Sequence, residues 1–224
     1  MYNKQWEKDI EMVAKYYTDK ISEKGYSFET LAAREQKYTN MFFDELFTGI
    51  EIKNDSSFLD IGSGLGLFID YLNSRNINST KYLGIDLIEE FINYSKLTYP
   101  DYKFLRENFI SSEFSSTEKY DYVFALGVLV SRVSEYEMYI SEFIKKMIFH
   151  SKEYVLLNLV TEIDYDSQNY SNKEEIGGIT SISKSKLEEI LNSIQDISYK
   201  IIEKRIFDDA TDAFIQIKLN KNEF

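Results

Sequence analysis

The sequence predicts a doubly wound α/β protein, a mixed sheet of seven strands with helices packed on its faces. Three observations carry that expectation. From residue 57 onward, short apolar runs of strand length alternate with amphipathic helical stretches. One of those runs, Tyr154–Val160, is apolar almost throughout, as in a strand buried on both faces. The last two runs are separated only by Asp208-Asp209-Ala210-Thr211-Asp212, too short for a crossover helix, so they close the chain as an antiparallel hairpin.

The elements follow in order. Residues 3–24 place Trp6, Ile10, Val13, Tyr17 and Ile21 at helical spacing, and Gly25 ends that helix. A second helix is expected over about 29–47, with Leu31, Tyr38, Phe42, Leu46 and Phe47. Ser57–Gly62 reads as the first strand, and Leu65, Phe68, Ile69 and Leu72 mark the face of the helix after it. Lys81–Asp86 is the second strand; the next helix carries Ile88, Phe91, Ile92 and Tyr99 and is closed by Pro100. Tyr102–Glu107 and Tyr120–Leu126 are the third and fourth strands. Ser134–Phe149 is an amphipathic helix through Ile140, Phe143, Ile144 and Met147. After Tyr154–Val160 comes a long polar loop, 161–182, then a helix with Leu187, Ile190, Leu191 and Ile194, and finally strands Tyr199–Phe207 and Ala213–Leu219.

Composition narrows the chemistry. The 224 residues hold 38 acidic and 26 basic groups, one His, one Pro and no Cys. Without Cys there are no disulfides, thiol nucleophiles or cysteine-ligated metals, and one His leaves no multi-histidine metal site. A net charge of −12 argues against nucleic acid and anionic membrane surfaces as partners. No apolar run is long enough to span a bilayer, and the opening residues Met1–Glu7 lack the apolar segment of a signal peptide. A cytoplasmic protein is expected, a single domain over 1–224, with residues 1–50 as a helical cap and 55–220 as the sheet core. It would act as a monomer or homodimer on a small molecule. No metal is expected.

In open sheets of this kind ligands bind beyond the carboxyl ends of the strands. There the first strand runs into Asp60-Ile61-Gly62-Ser63-Gly64-Leu65-Gly66. Glycines at every second position let the backbone turn sharply and approach a ligand, and the following helix offers N–H groups suited to a carboxylate. The spacing G-x-G-x-G differs from the G-x-G-x-x-G of dinucleotide sites. Asp60 beside the turn would repel a pyrophosphate and attract an ammonium group. A ligand with both a carboxylate and an ammonium is an amino acid. Asp86, 20 residues past Gly66, can accept both hydroxyls of a ribose; it could equally cap the helix that follows. An amino acid joined to a nucleoside is S-adenosyl-L-methionine. Asn108 offers an amide to the adenine edge, Phe109 an apolar contact, and Ala125-Leu126-Gly127-Val128 is small enough for a ligand to lie across the sheet edge.

Taken together, Asp60–Gly66, Asp86, Asn108-Phe109 and Asp121–Gly127 resemble the four successive motifs of class I S-adenosylmethionine-dependent methyltransferases. The resemblance covers about 55–220. It implies a Rossmann-like sheet of order 3-2-1-4-5-7-6 with a reversed last strand, and S-adenosyl-L-homocysteine as product. By position it puts Asp60, Gly62, Ser63, Gly64 and Gly66 at the methionine end, Asp86 on the ribose, Leu87, Asn108 and Phe109 around the adenine, and Leu126-Gly127 under the sulfonium. The family more often has Asp where Asn108 stands. The stretch Gly25–Gln36 resembles the cap of bacterial small-molecule members.

The expected reaction is methyl transfer to O or N of a small-molecule metabolite, a sugar-like or amine acceptor among them; the alternative is a binding module without transferase activity. Cytosine C5 chemistry lacks its Cys. The N/D-P-P-Y/F signature of exocyclic-amine enzymes is replaced by Ala125-Leu126-Gly127-Val128, and no metal-binding Asp and Asn pair stands at that strand end. Acceptor contacts in this family come from the N-terminal segment and the loop after the fifth strand. Asp164 and Tyr165 are thus candidate catalytic groups, and Tyr17, Tyr26, Tyr165 and Tyr170 candidate acceptor contacts. The plainer alternatives are a solvated acidic loop and an aromatic stripe facing the core. His150 is expected to be structural, a cation at a helix C-terminus.

Overall fold

A computed structural model describes residues 4–28, 30–31, 36–79, 81–167 and 175–220. The elements are α1 (Lys4–Lys24), α2 (Gln36–Leu46), β1 (Ser57–Ile61), α3 (Leu67–Ser74), β2 (Lys81–Asp86), α4 (Glu89–Thr98), β3 (Lys103–Arg106), β4 (Tyr120–Ala125), α5 (Tyr136–Phe149), β5 (Ser151–Ile163), α6 (Lys184–Asn192), β6 (Ile197–Lys204) and β7 (Ala210–Leu219). The seven strands form one sheet of order β3-β2-β1-β4-β5-β7-β6. Strands β1 to β5 pair in parallel, while β7 runs antiparallel to both β5 and β6. The expected topology and hairpin are therefore present.

Side chains of the central strands alternate between two apolar layers, as the period of a strand requires. Leu59, Val123, Val155 and Leu157 enter a core shared with α5 and α6, and Trp6 and Ile10 of α1 join it. Phe58, Phe124, Leu156 and Phe214 enter the opposite core, against Phe43, Leu46 and Phe68 of α2 and α3. Helix α1 is pinned to the start of α5 by polar bonds: Trp6 Nε1 donates to the Ser134 carbonyl at 2.9 Å, and the buried Asp9 accepts from the Ser134 amide at 2.6 Å. No helix among the described residues is long and apolar enough to cross a membrane.

Several expected boundaries move. Helix α2 begins at Gln36, not 29; Phe28, Thr30 and Leu31 form turns held by bonds such as Thr30 Oγ1 to the Gly25 carbonyl. Strand β5 extends from Ser151 to Ile163 because β7 starts early, at Ala210, and pairs with it out to Ile163. The long polar loop is thereby shortened. Its far end is zipped onto the segment after β4, with the Thr180 amide on the Val130 carbonyl and the Arg132 amide on Gly178.

His150 is buried beside Phe109, Phe114 and Phe149, and its Nδ1 lies 3.1 Å from the Glu118 carbonyl. Its role is structural, but the expected cation is corrected: burial lowers its pKa below 6.5, so the ring is neutral at pH 7.

Candidate active site

The turn after β1 is built from left-handed glycines. Gly62, Gly64 and Gly66 have φ of +75°, +51° and +75°, which a side chain would strain. The amides of Gly62 and Ser63 both donate to the Ile85 carbonyl, at 2.8 and 3.0 Å, and fasten the turn to β2. Asp86, at the end of β2, completes the clasp. Its Oδ2 accepts from the Gly64 amide and its Oδ1 from the Ile88 amide, each at 2.9 Å. The capping alternative for Asp86 is thus realised in part, although the N-cap position of α4 is Ile88. It does not exclude a ligand, since each carboxylate oxygen keeps a second lone pair.

Asp60 is 5% exposed, and its Oδ2 accepts from the Tyr82 hydroxyl at 2.7 Å. Burial raises its pKa from 3.8 to about 7, and that of Asp86 to about 6. These two carboxyls lie in a low-dielectric site with no cation beside them among their perturbing neighbours, the setting in which a positive ligand is favoured.

A cavity of about 310 Å³ opens over this turn and runs along the carboxyl ends of the strands. Ten of the eleven residues expected at the cofactor line it: Asp60, Gly62, Ser63, Gly64, Asp86, Leu87, Asn108, Phe109, Leu126 and Gly127. Gly66 does not. A Cβ there would stand 2.9 Å from the Tyr99 ring at the end of α4 and 3.3 Å from Phe104 of β3, so the glycine lets those rings pack against the turn. Phe109 is only 4% exposed and packs on Phe114 and Phe143.

The acceptor candidates divide differently. Tyr17 lines the cavity, and burial pushes its hydroxyl up to about 12. Tyr26 stacks on Tyr94 with ring centroids 4.9 Å apart, half exposed and outside the cavity. Asp164 is turned to Arg205, 2.5 Å away, and Tyr165 is fully exposed; neither reaches the cavity. The extension of β5 carries both past the strand ends, so the loop contributes Ile179 instead. Tyr170 lies outside the described residues.

Sequence reasoning missed the other end of the cavity. Asn158 of β5 lines it, is 3% exposed, and accepts from the Gly127 amide at 2.7 Å. Thr39, Tyr38 and Phe42 of α2, Phe207 from the hairpin connection and the buried Asp212 of β7 complete it. Asn158 had a visible signal, the one amide in an otherwise apolar strand. Asp212 had none, because it reads as part of a turn. It reaches the site because β7 is reversed, which sets its amino end beside the carboxyl end of β5 through the pair Val160–Asp212. Among the described residues no cluster of three or more His, Asp or Glu could hold a metal.

A parallel strand–turn–helix series with a glycine turn clasped by a carboxylate, in a sheet ending β5-β7-β6, defines the class I S-adenosylmethionine-dependent methyltransferase fold. Residues 59–146 match the family described as a methyltransferase domain. Solved structures agree on the fold. Magnesium protoporphyrin IX methyltransferase from Synechocystis PCC 6803, with bound S-adenosylhomocysteine, is 11% identical over 92% of this chain and 94% of its own, with a TM-score of 0.63. The DhpI–S-adenosylhomocysteine complex is 16% identical over 95% and 98%, at 0.66. The plantazolicin methyltransferase BpumL, also with S-adenosylhomocysteine, is 18% identical over 98% and 100%, at 0.61. No curated protein matches the sequence.

Proposed function

We propose that the protein transfers a methyl group from S-adenosylmethionine to oxygen or nitrogen of a small molecule and releases S-adenosylhomocysteine. The observation that carries this reading is the continuity of the cavity: one space joins the glycine turn to a chamber walled by α1 and α2. A binding module without transferase activity has no need of that second chamber.

The residues fit the cofactor. Ser63 Oγ is buried at the turn without a hydrogen-bond partner, a polar atom suited to a ligand. A Cβ on Gly62 would fall 2.3 Å from Val128 Cγ2, so the glycine is what lets the two loops close over the site. Apart from Gly127 and its chain neighbours, no atom of the described residues lies within 4 Å of a Cβ built on Gly127, leaving room above the end of β4. When bound, S-adenosylmethionine supplies an activated methyl carbon on a sulfonium. Asp60 faces the ammonium, Asp86 accepts from the ribose hydroxyls, and Leu87 and Asn108 border the adenine. Leu126 and Gly127 form the floor where donor and acceptor meet. The protein's share of the rate is positioning and exclusion of water. The fold neighbours include a magnesium protoporphyrin and a plantazolicin methyltransferase, which supports a small-molecule acceptor. Calorimetry with S-adenosylmethionine and S-adenosylhomocysteine tests the reading: both bind, and mass spectrometry of the denatured protein releases one of them. If neither binds, the reading is wrong.

A further inference from the structure

The β5/β7 end of the cavity has a lining of its own. Its walls are aromatic: the Tyr38 and Phe207 rings lie 4.9 Å apart and Phe42 stands 6.3 Å from Phe207. Polar side chains line this apolar space as well. Thr39 is 8% exposed and its Oγ1 makes no hydrogen bond. Asn158 lines the same space and spends Oδ1 on the Gly127 amide. A buried hydroxyl left unpaired in a native fold calls for an explanation, and a ligand group is the simplest one. Charge supplies the second constraint. The described lining includes Asp60, Asp86, Glu107 and Asp212 but no Lys, Arg or His.

We propose that this end is an acceptor subsite for a ring-bearing molecule, uncharged or cationic, whose hydroxyl or amine is read by Thr39 and Asn158. The aromatic walls take the ring. Thr39 Oγ1 and Asn158 Nδ2 hold the nucleophilic head beside Gly127, because Asn158 is itself tied to that residue. An acceptor bearing a carboxylate or phosphate is disfavoured by the acidic lining, which includes no Lys, Arg or His among the described residues. The subsite rests on the methyltransferase reading, since Gly127 is placed there under the sulfonium.

Three phenols of similar shape test it: tyramine (cationic), 4-methylphenol (neutral) and 4-hydroxyphenylacetate (anionic), each titrated calorimetrically into protein saturated with S-adenosylhomocysteine. Tyramine and 4-methylphenol bind, and 4-hydroxyphenylacetate binds at least ~10-fold more weakly. Thr39→Val, which keeps the shape of the side chain, weakens 4-methylphenol by about 3- to 10-fold and leaves S-adenosylhomocysteine affinity within about twofold. Phe207→Ala weakens all the phenols that bind and likewise spares S-adenosylhomocysteine. Equal affinity for the three phenols, no binding of any of them, or a Thr39→Val protein that binds phenols like wild type overturns the subsite alone. Failure of S-adenosylhomocysteine to bind wild-type protein overturns the methyltransferase reading and the subsite together.

Discussion

The two ends of the cavity are built by different means. At β1 and β2 the site is made of backbone and carboxylates: left-handed glycines, amides fastened to the Ile85 carbonyl, and Asp86 bridging both loops. At β5 and β7 it is made of side chains from distant parts of the chain, with aromatic walls and the unpaired Thr39 hydroxyl. The first end is held in shape before any ligand arrives, at the cost of burying two acids. The second is a shaped apolar space with one buried hydroxyl, that of Thr39, left unpaired. A fixed donor end with a variable acceptor end is how one fold serves many acceptors.

The largest effect that sharpens this contrast is at Asp86. Asp86→Ala orphans the Gly64 and Ile88 amides as well as removing the proposed ribose contact, and S-adenosylmethionine affinity should fall at least ~10-fold by calorimetry. Unchanged affinity would detach the clasp from cofactor binding.

Asp60 separates stability from binding. Its folded pKa of about 7 lies above the ordinary 3.8, so the folded chain holds a proton that the unfolded chain has lost. Stability present below about pH 4 therefore declines as pH rises toward 7, and Asp86 acts in the same direction up to about 6. Asp60→Asn should raise the stability of the ligand-free protein at pH 8 by roughly 1–3 kcal/mol, read as a higher melting temperature, while weakening the cofactor. Binding carries the opposite pH sign, because an ammonium prefers the ionised carboxylate. Cofactor affinity should rise about tenfold from pH 6 to pH 8 in wild type and flatten in Asp60→Asn. A flat wild-type profile would remove Asp60 from the ammonium.

The acceptor end should respond the other way. Thr39→Val removes an unpaired buried hydroxyl, so the ligand-free protein should gain about 0.5–1.5 kcal/mol in denaturant titrations. A loss of stability would mean that the hydroxyl is paired in solution. Smallest of all, Tyr165→Ala lies on the exposed loop and should change cofactor and acceptor affinities by less than about twofold.

Much of the donor end was legible because its chemistry is local. A glycine turn needs residues two apart, and Asp86 follows it by one helix and one strand, so spacing carried both. Even there, Gly66 and Phe109 show the limit: a glycine can serve helix packing and a phenylalanine the core, and only neighbours such as Tyr99 and Phe143 tell which. At the acceptor end, family-based expectation pointed to Asp164 and Tyr165, yet the longer β5 delivers them to the surface.

From the sequence alone came the alternation of strands and helices, the reversed hairpin, the glycine turn and the two aspartates, all set by periodicity and short-range spacing. Only the tertiary structure brought Thr39, Asn158, Phe207 and Asp212 to one chamber. Strand order and the reversal of β7 decide which distant residues meet, and a linear pattern records no such meeting.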